Sequence, residues 1–223
     1  MDIALQSMPM TRIAVIDFET TGISPAMGDR ATEVAIVITE RGRVVDRYQS
    51  LMNAGVRIPA FITQLTGITN AMIDTAPPAE TVMREAARFV GEVPMVAHNA
   101  SFDRRYWAAE LARAGLDAPH PFACTVLLSR RLYPEAPSHK LGTLVDFFRL
   151  PRTGQAHRAL ADAEMAAELL GRIQHDLRTR HGVGEPDHPF LMALQRCART
   201  ALPGFIQTHT RRPASAAFST PAA

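Results

Sequence analysis

Four acidic residues and one histidine have types and positions that suit metal-assisted chemistry. Asp17 and Glu19 follow an apolar run, and because side chains alternate along a strand, both should face the same side. Asp103 and Asp162 each fall in the first turn of a predicted helix, and His157 lies just before the second of these helices. Taken alone, each acid is explained by a solvated strand end or by its place at a helix start. A shared chemical role therefore requires the five residues to lie together.

Four carboxylates at one rim of a sheet would repel one another unless cations or raised pKa values relieve them. Two unit charges 4 Å apart repel by about 4 kcal/mol at an effective dielectric constant near 20. The acidic ligands are all oxygen donors, which suits Mg²⁺ or Mn²⁺ better than zinc. Two such ions stabilise the attacking and leaving oxygens of a phosphoryl displacement, and a histidine beside them can deprotonate the attacking water.

The elements that must position these residues follow from hydrophobic periodicity. Strands are predicted at 12–17, 31–40, 43–51 and 94–97, and the short turn Arg41-Gly42 makes the second and third an antiparallel hairpin. Helices are predicted at 80–90, at 101–114 with Ser101 as N-cap, and at 124–132, 141–148, 158–178 and 186–202. This order predicts one α/β domain with a mixed sheet packed by helices.

The predicted domain covers residues 12–181, after an extension at 1–11. A C-terminal helical extension is predicted at 182–206. Residues 207–223 contain no acid and no periodicity, so a disordered tail is predicted there.

Composition excludes several other classes of protein. The chain has 223 residues, 47% of them hydrophobic and 21% charged, which is typical of a folded soluble domain. A net charge of +2, from 24 basic and 22 acidic residues, excludes a bulk polyanion binder. Two cysteines are too few for a disulfide framework. No signal peptide or membrane-length apolar run is recognisable, so the sequence predicts a cytoplasmic protein.

Three segments resemble the exonuclease motifs of the DEDDh 3′→5′ exonucleases, and they occur in the family's order. They are DFETTG at 17–22, HNASFD at 98–103 and HRALADA at 157–163. The segments PAFITQLTGIT at 59–69 and HKL at 139–141 are similar to family connecting segments. The similarity spans about residues 12–175 and is greatest to the proofreading epsilon subunit of bacterial DNA polymerase III. Ribonuclease T and oligoribonuclease are more distant members.

The resemblance implies a ribonuclease-H-like fold, with a five-stranded sheet in the order 3-2-1-4-5 flanked by helices. It implies that Asp17, Glu19 and Asp162 hold a first metal ion, that Asp17 and Asp103 lie near a second, and that His157 is the general base. It also implies six substrate contacts. Phe18, Thr20 and Leu65 would contact the terminal nucleotide, Phe102 would support the site, and His98 and Asn99 would lie near the scissile phosphate.

Three functions remain open on the sequence alone. The leading hypothesis is an exonuclease with two Mg²⁺ or Mn²⁺ ions that releases nucleoside 5′-monophosphates from nucleic acid 3′ ends, with DNA favoured over RNA. RNA processing by the same chemistry and a mainly polymerase-associated binding subunit, attached through its C-terminal tail, are the alternatives. Arg149, Arg152 and Arg158 flank the third motif without a nearby acid in the sequence, so they are predicted to guide the phosphate backbone.

Overall fold

Five strands form one mixed sheet in the computed structural model, which describes residues 12–152, 154 and 157–210. The strands are β1 (Arg12–Thr20), β2 (Ala31–Glu40), β3 (Arg43–Leu51), β4 (Met95–Ala97) and β5 (Phe122–Cys124), in the order β3-β2-β1-β4-β5. The pairs β1–β2 and β2–β3 are antiparallel, whereas β1–β4 and β4–β5 are parallel. The predicted strand order 3-2-1-4-5 is therefore confirmed.

Nine α-helices lie within the described residues. They are α1 (Ala60–Thr66), α2 (Asn70–Asp74), α3 (Ala79–Val90), α4 (Ala100–Arg113), α5 (Thr125–Leu132), α6 (Leu141–Phe148), α7 (Ala159–Thr179), α8 (His188–Leu194) and α9 (Leu202–His209). None of these helices is both long enough and apolar enough to cross a membrane.

The short turn Arg41-Gly42 joins β2 and β3 in the antiparallel hairpin that the sequence predicts. Arg41 and Gly42 both have positive φ angles, 52° and 74°. Positive φ at both central residues defines the turn type whose twist matches that of paired strands. Strand β2 lies between β1 and β3 in the sheet and is buried over almost its whole length.

Alternation along β1 decides which side of the sheet the acids face. Ile13 and Val15 pack into the core cluster that contains the buried face of α7, whereas Ala14 and Ile16 pack into the cluster shared with α3 and α4. Side chains two residues apart lie on one face of a strand. Asp17 and Glu19 therefore continue the face that carries α7, as their spacing predicts.

Two predicted element bounds in the middle of the chain were wrong. Helix α4 begins at Ala100 with Asn99 at its N-cap position, so Ser101 lies inside the helix rather than capping it. Residues 122–124 form β5, a three-residue strand that periodicity did not indicate, and the predicted helix 124–132 starts one residue later.

The C-terminal region also differs from the sequence-based prediction. Residues 186–202 form α8 and a 3₁₀ turn, and α9 then starts with Pro203 in its first turn. Proline suits a helix start, which fits the start of α9 at Leu202, whereas α8 ends at Leu194, so the predicted single helix is wrong. Helix α9 reaches His209 and buries Ile206 in the core, so the chain is still ordered at residue 207. The rest of the predicted tail, 211–223, and the extension 1–11 lie outside the described residues.

Candidate active site

Three elements bring the four predicted carboxylates to one end of the sheet. Asp17 and Glu19 lie near the carboxyl end of β1, and Asp103 and Asp162 lie in the first turns of α4 and α7. The backbone N–H of Phe18 donates to Oδ1 of Asp103 at 3.3 Å, which ties the start of α4 to β1. Asp103 is only 2% exposed.

Glu19, His157 and Asp162 form a group that can hold a cation. Each offers one ligand atom, and these atoms all lie within 4.8 Å of one another. Asp17 lies close enough to Asp103, Glu19 and Asp162 for their charges to raise its pKa in addition to the effect of burial. Carboxylate oxygens and an imidazole nitrogen suit a divalent cation.

The electrostatics of the site fit a bound cation as well. Burial, followed by repulsion from Asp162 and Glu33, raises the pKa of Glu19 to about 8. Burial also raises the pKa of Asp103 to about 8, although hydrogen bonds from backbone N–H groups oppose the shift. The pKa of Asp162 is raised by burial, an effect that the nearby His157 reduces. Without cations, Glu19 and Asp103 retain protons near neutral pH, so a cation can take the place of those protons.

A cavity of about 690 Å³ opens onto the carboxylates. Its lining includes Asp17, Glu19, His157 and Asp162, together with four of the six predicted substrate contacts, which are Phe18, Thr20, Leu65 and Phe102. Its volume falls within the range of about 300–1,000 Å³ that is typical of small-ligand sites. The structure therefore places most of the predicted site around one cavity.

Apolar side chains exposed to solvent form part of the cavity wall. Ile23, Phe61 and Leu65 are 78%, 66% and 51% exposed, and all three line the cavity. Exposed large apolar groups clustered at one place mark a binding surface. Only Leu65 was identified from the sequence, because exposure of Ile23 and Phe61 depends on how their loops fold.

Tyr106 packs against Phe18 and Phe102 of the cavity lining, a contact that the sequence did not reveal. Its ring lies 4.9 Å from that of Phe102 and 6.4 Å from that of Phe18, measured between centroids. Its hydroxyl donates to the carbonyl of Gly22 at 2.8 Å. The same buried side chain therefore packs against two predicted substrate contacts and fixes the loop after β1.

The start of α7 is held by Glu33, a second residue that sequence reasoning missed. The Glu33 carboxylate, fully buried on β2, accepts hydrogen bonds from Nη2 of Arg158 at 2.8 Å and from the backbone N–H of Ala159 at 3.1 Å. His157 immediately precedes this anchored pair and is exposed, with φ of 60°. The sequence offered one signal for this contact, since Glu33 is an acid beside the apolar run of β2.

This ion pair alters the role predicted for the arginines around the third motif. Arg158 is engaged by Glu33, and Arg152 pairs with Asp146 at 2.7 Å. Both guanidinium groups are thus already paired with acids. Arg149 forms no ion pair within the part of the chain that the structure describes.

The structure does not bring His98 and Asn99 to the acid-lined cavity. The two ring nitrogens of His98 lie 2.9 Å from Oγ1 of Thr125 and 3.1 Å from the carbonyl oxygen of His139. Burial lowers the pKa of His98 to about 4. Both His98 and Asn99 line a neighbouring cavity, and their proximity to the scissile phosphate stays a prediction.

A mixed sheet in this order, with acids from β1, α4 and α7 at one end, defines the ribonuclease-H-like class of exonuclease folds. Residues 14–170 match the RNase T family model, described as "Exonuclease". The chain therefore belongs to this family of exonucleases. The recognition made from the three motifs is therefore confirmed at the level of the family.

Two curated relatives come from Bacillus subtilis (strain 168). The chain is 34% identical to the 3′-5′ exonuclease DinG over 214 residues, which cover 90% of the chain and 23% of DinG. It is 38% identical to the PolC-type DNA polymerase III over 164 residues, which cover 73% of the chain and 11% of the polymerase. The chain thus matches less than a quarter of the length of either relative.

Solved structures support the same fold. The structure of Exonuclease X in complex with 5′ overhanging duplex DNA has a TM-score of 0.61 and 30% identity, over 73% of this chain and 91% of that one. The nuclease domain of 3′hExo, a DEDDh family member bound to rAMP, has a TM-score of 0.64 at 19% identity, over 75% and 94% of the two chains. The second likeness shows the fold alone.

Proposed function

We propose that this domain removes nucleotides from the 3′ end of DNA and releases nucleoside 5′-monophosphates. One observation carries the proposal: the carboxylates of Asp17, Glu19 and Asp162 line a cavity of small-ligand volume together with His157, and buried Asp103 lies near Asp17. Cleavage of a phosphodiester needs stabilised negative oxygens and a group that accepts a proton from water. This arrangement supports both requirements.

The residues that would hold two Mg²⁺ or Mn²⁺ ions follow from the geometry and the resemblance together. Glu19 and Asp162, with Asp17, are proposed to hold the first ion, and Asp17 and Asp103 to lie near the second. When bound, the ions stabilise charge on the attacking and leaving oxygens of a phosphoryl displacement. The mutual repulsion of the carboxylates supports this assignment, because cations relieve it.

His157 is proposed to accept the proton of the attacking water. Its side chain is exposed and lines the cavity, so water and substrate can reach it. The Glu33–Arg158 ion pair fixes the backbone directly after it. General base catalysis contributes about 10²–10⁴-fold to a rate, so loss of this side chain should remove most of the turnover.

The terminal nucleoside is proposed to lie against Phe18, Thr20 and Leu65, with Phe102 as support. The buried Tyr106 holds the two phenylalanines in place, which keeps the apolar wall rigid. Ile23 and Phe61 extend that wall at the rim. Aromatic and aliphatic faces stack on any base, so this surface supports binding of a strand end without a sequence preference.

We propose DNA rather than RNA as the substrate, because similar proteins are linked to DNA. One relative is named as a DNA polymerase III, and Exonuclease X was solved in complex with DNA. Recognition of RNA would depend on contacts to the 2′-hydroxyl. RNA processing therefore remains the alternative outcome of the test.

Stepwise shortening of labelled strands tests the activity. Matched single-stranded DNA, DNA with a mismatched 3′ end and RNA are each incubated with the protein and Mg²⁺ or Mn²⁺. We expect nucleoside 5′-monophosphates from both DNA substrates at higher kcat/KM than from RNA. No shortening of any substrate across metals and pH would refute the proposal, and faster cleavage of RNA would select the RNA-processing alternative.

Two variants with matched controls test the roles of the residues. Asp17→Ala should abolish turnover, and His157→Ala should lose most of the rate while it still binds a strand end. Asp117→Ala and His175→Ala change exposed residues of the same types outside the cavity, and they should retain wild-type rates. Full activity of either site variant would remove that residue from the mechanism.

Association with a polymerase subunit is a separate proposal. It is supported by the relative in which a similar segment is part of a PolC-type polymerase. Recovery of partners by the full chain and by a chain ending at residue 210 should be compared. Equal recovery would exclude a contact made by residues 211–223.

A further inference from the structure

A groove beside the sheet carries a concentration of basic side chains that the proposed site does not use. Two cavities of about 610 and 670 Å³ share Asn99, Val126 and Arg130 in their linings. Arg104 and Arg196 line the first cavity, and Lys140 lines the second. We call the two cavities with these four basic residues the arginine groove.

We propose that the arginine groove binds phosphate groups of the nucleic acid backbone beyond the 3′-terminal nucleotide. This inference rests on the proposed function, because it places the rest of the strand beside the site that would cut its end. The two possible sources of those phosphates are the strand being cut and the strand paired with it.

The charge of the groove is not balanced by neighbouring acids. Arg104, Arg130 and Arg196 are exposed, and none forms an ion pair with an acid of the described part of the chain. The linings of both cavities, as far as residues are described, contain neither aspartate nor glutamate. By contrast, Arg30 and Arg158 pair with buried glutamates.

Unpaired arginines in a cleft are suited to phosphate. A guanidinium group presents several N–H donors in one plane and remains charged at all physiological pH values. A cleft lined by one sign of charge also concentrates the field and attracts oppositely charged ligands. Nearly equal numbers of acids and bases in the whole chain make this local imbalance informative.

The position of the three arginines is built into the fold. They come from three different elements, since Arg104 lies on α4, Arg130 on α5 and Arg196 just after α8. The side chain of Gln195 joins α8 to the open edge of β5. Its Oε1 accepts from the backbone N–H of Cys124 at 2.7 Å, and its Nε2 donates to the carbonyl of Phe122 at 3.3 Å. Arg196 is thereby held beside the edge strand.

The groove adjoins the acid-lined cavity through the start of α4. Asn99, at the N-cap of α4, lines both cavities of the groove, whereas Phe102 lines the acid-lined cavity. Three residues of helix advance by about 5 Å. A strand whose last nucleotide lies against Phe102 therefore has its next phosphates within reach of the groove.

Direct binding measurements test the groove without any need for catalysis. The full chain, with Arg104, Arg130 and Arg196 all changed to glutamine, is titrated in EDTA against a labelled 16-nucleotide single strand. A second titration uses a duplex with a recessed 3′ end. The control variant changes Arg41, Arg43 and Arg178 to glutamine, which removes the same charge from exposed positions outside the groove. A third variant changes the three groove arginines to lysine.

For the glutamine variant of the groove, we expect Kd to rise at least about ten-fold at low salt. The slope of log Kd against the logarithm of the salt concentration should decrease by about two to three. The control variant should bind like the wild type, and the lysine variant should retain most of the affinity. Loss with the single strand assigns the groove to the strand being cut, and loss confined to the duplex assigns it to the paired strand.

Unchanged binding of both nucleic acids by the glutamine variant would overturn the proposal and leave the groove to an acidic protein partner. An equal loss in the control variant would overturn it too, because net charge would then explain the effect. Failure of the proposed function gives a different result, since the wild-type protein would then cleave nothing in Mg²⁺ or Mn²⁺ whatever its binding in EDTA.

Discussion

Replacement of Glu19 by glutamine should stabilise the metal-free protein at alkaline pH while it disables the site. The pKa of Glu19 is raised from its ordinary 4.5 to about 8, first by burial and then by repulsion from Asp162 and Glu33. Between these two values the folded state binds more protons than the unfolded state, so stability falls as pH rises. From pH 5.5 to pH 8 this linkage removes about 3 kcal/mol from the wild type, and glutamine has no such cost.

Thermal unfolding in EDTA at pH 5.5 and pH 8 measures the effect. The melting temperature of Glu19→Gln relative to wild type should rise by about 6–12 °C between the two pH values, at about 2–4 °C for each kcal/mol. Glu92→Gln, at an exposed position with no described ion pair, is the matched control and should follow the wild type. Mg²⁺ or Mn²⁺ at pH 8 should stabilise the wild type more than the variant. Parallel melting curves of variant and wild type across pH would refute the reasoning.

Three further substitutions test the supports of the site. Glu33→Gln should destabilise the protein by about 1–3 kcal/mol, because it weakens the charge-assisted hydrogen bonds from Arg158, and urea unfolding that matched the wild type would contradict this. Gly22→Ala would place a Cβ against the carboxylate of Asp29, which must move and so disturb its hydrogen bond from the backbone N–H of Ser24; we expect a higher KM for single-stranded DNA with a smaller change in kcat, and unaltered kinetics would contradict it. Gln195→Leu should lower the free energy of unfolding by about 1–3 kcal/mol, since two backbone groups of β5 lose their partners; equal midpoints in urea would count against that role.

The first half of the sheet could be predicted from local pattern. The predicted bounds 31–40 and 43–51 agree with β2 and β3, because the composition of each strand and the short turn between them are local properties. The three-residue strand β5 could not be found in this way, because its pairing with β4 depends on the parallel alignment of distant segments. The order of the five strands came from the resemblance rather than from periodicity.

The positions of the four acids on β1, α4 and α7 were also predictable, because each depends on neighbouring residues in the sequence. The contacts that hold the site were not. Glu33 meets Arg158 across 125 residues of sequence, and His98 meets the carbonyl of His139 across 41. No local sequence pattern indicates such pairs. Arg158 was therefore expected to contact phosphate, although it forms an ion pair with Glu33.

The two hydrogen bonds between Gln195 and β5 limit the pairing of this sheet edge with other polypeptides. The outer edge of β5 would otherwise offer free backbone N–H and C=O groups to any passing strand, as open sheet edges do. The amide of Gln195 occupies one group of each kind, so an incoming strand would first have to displace α8. Self-association through this edge is thereby disfavoured. The protection concerns the β5 edge of the sheet, and it holds equally when the domain is joined to a longer chain.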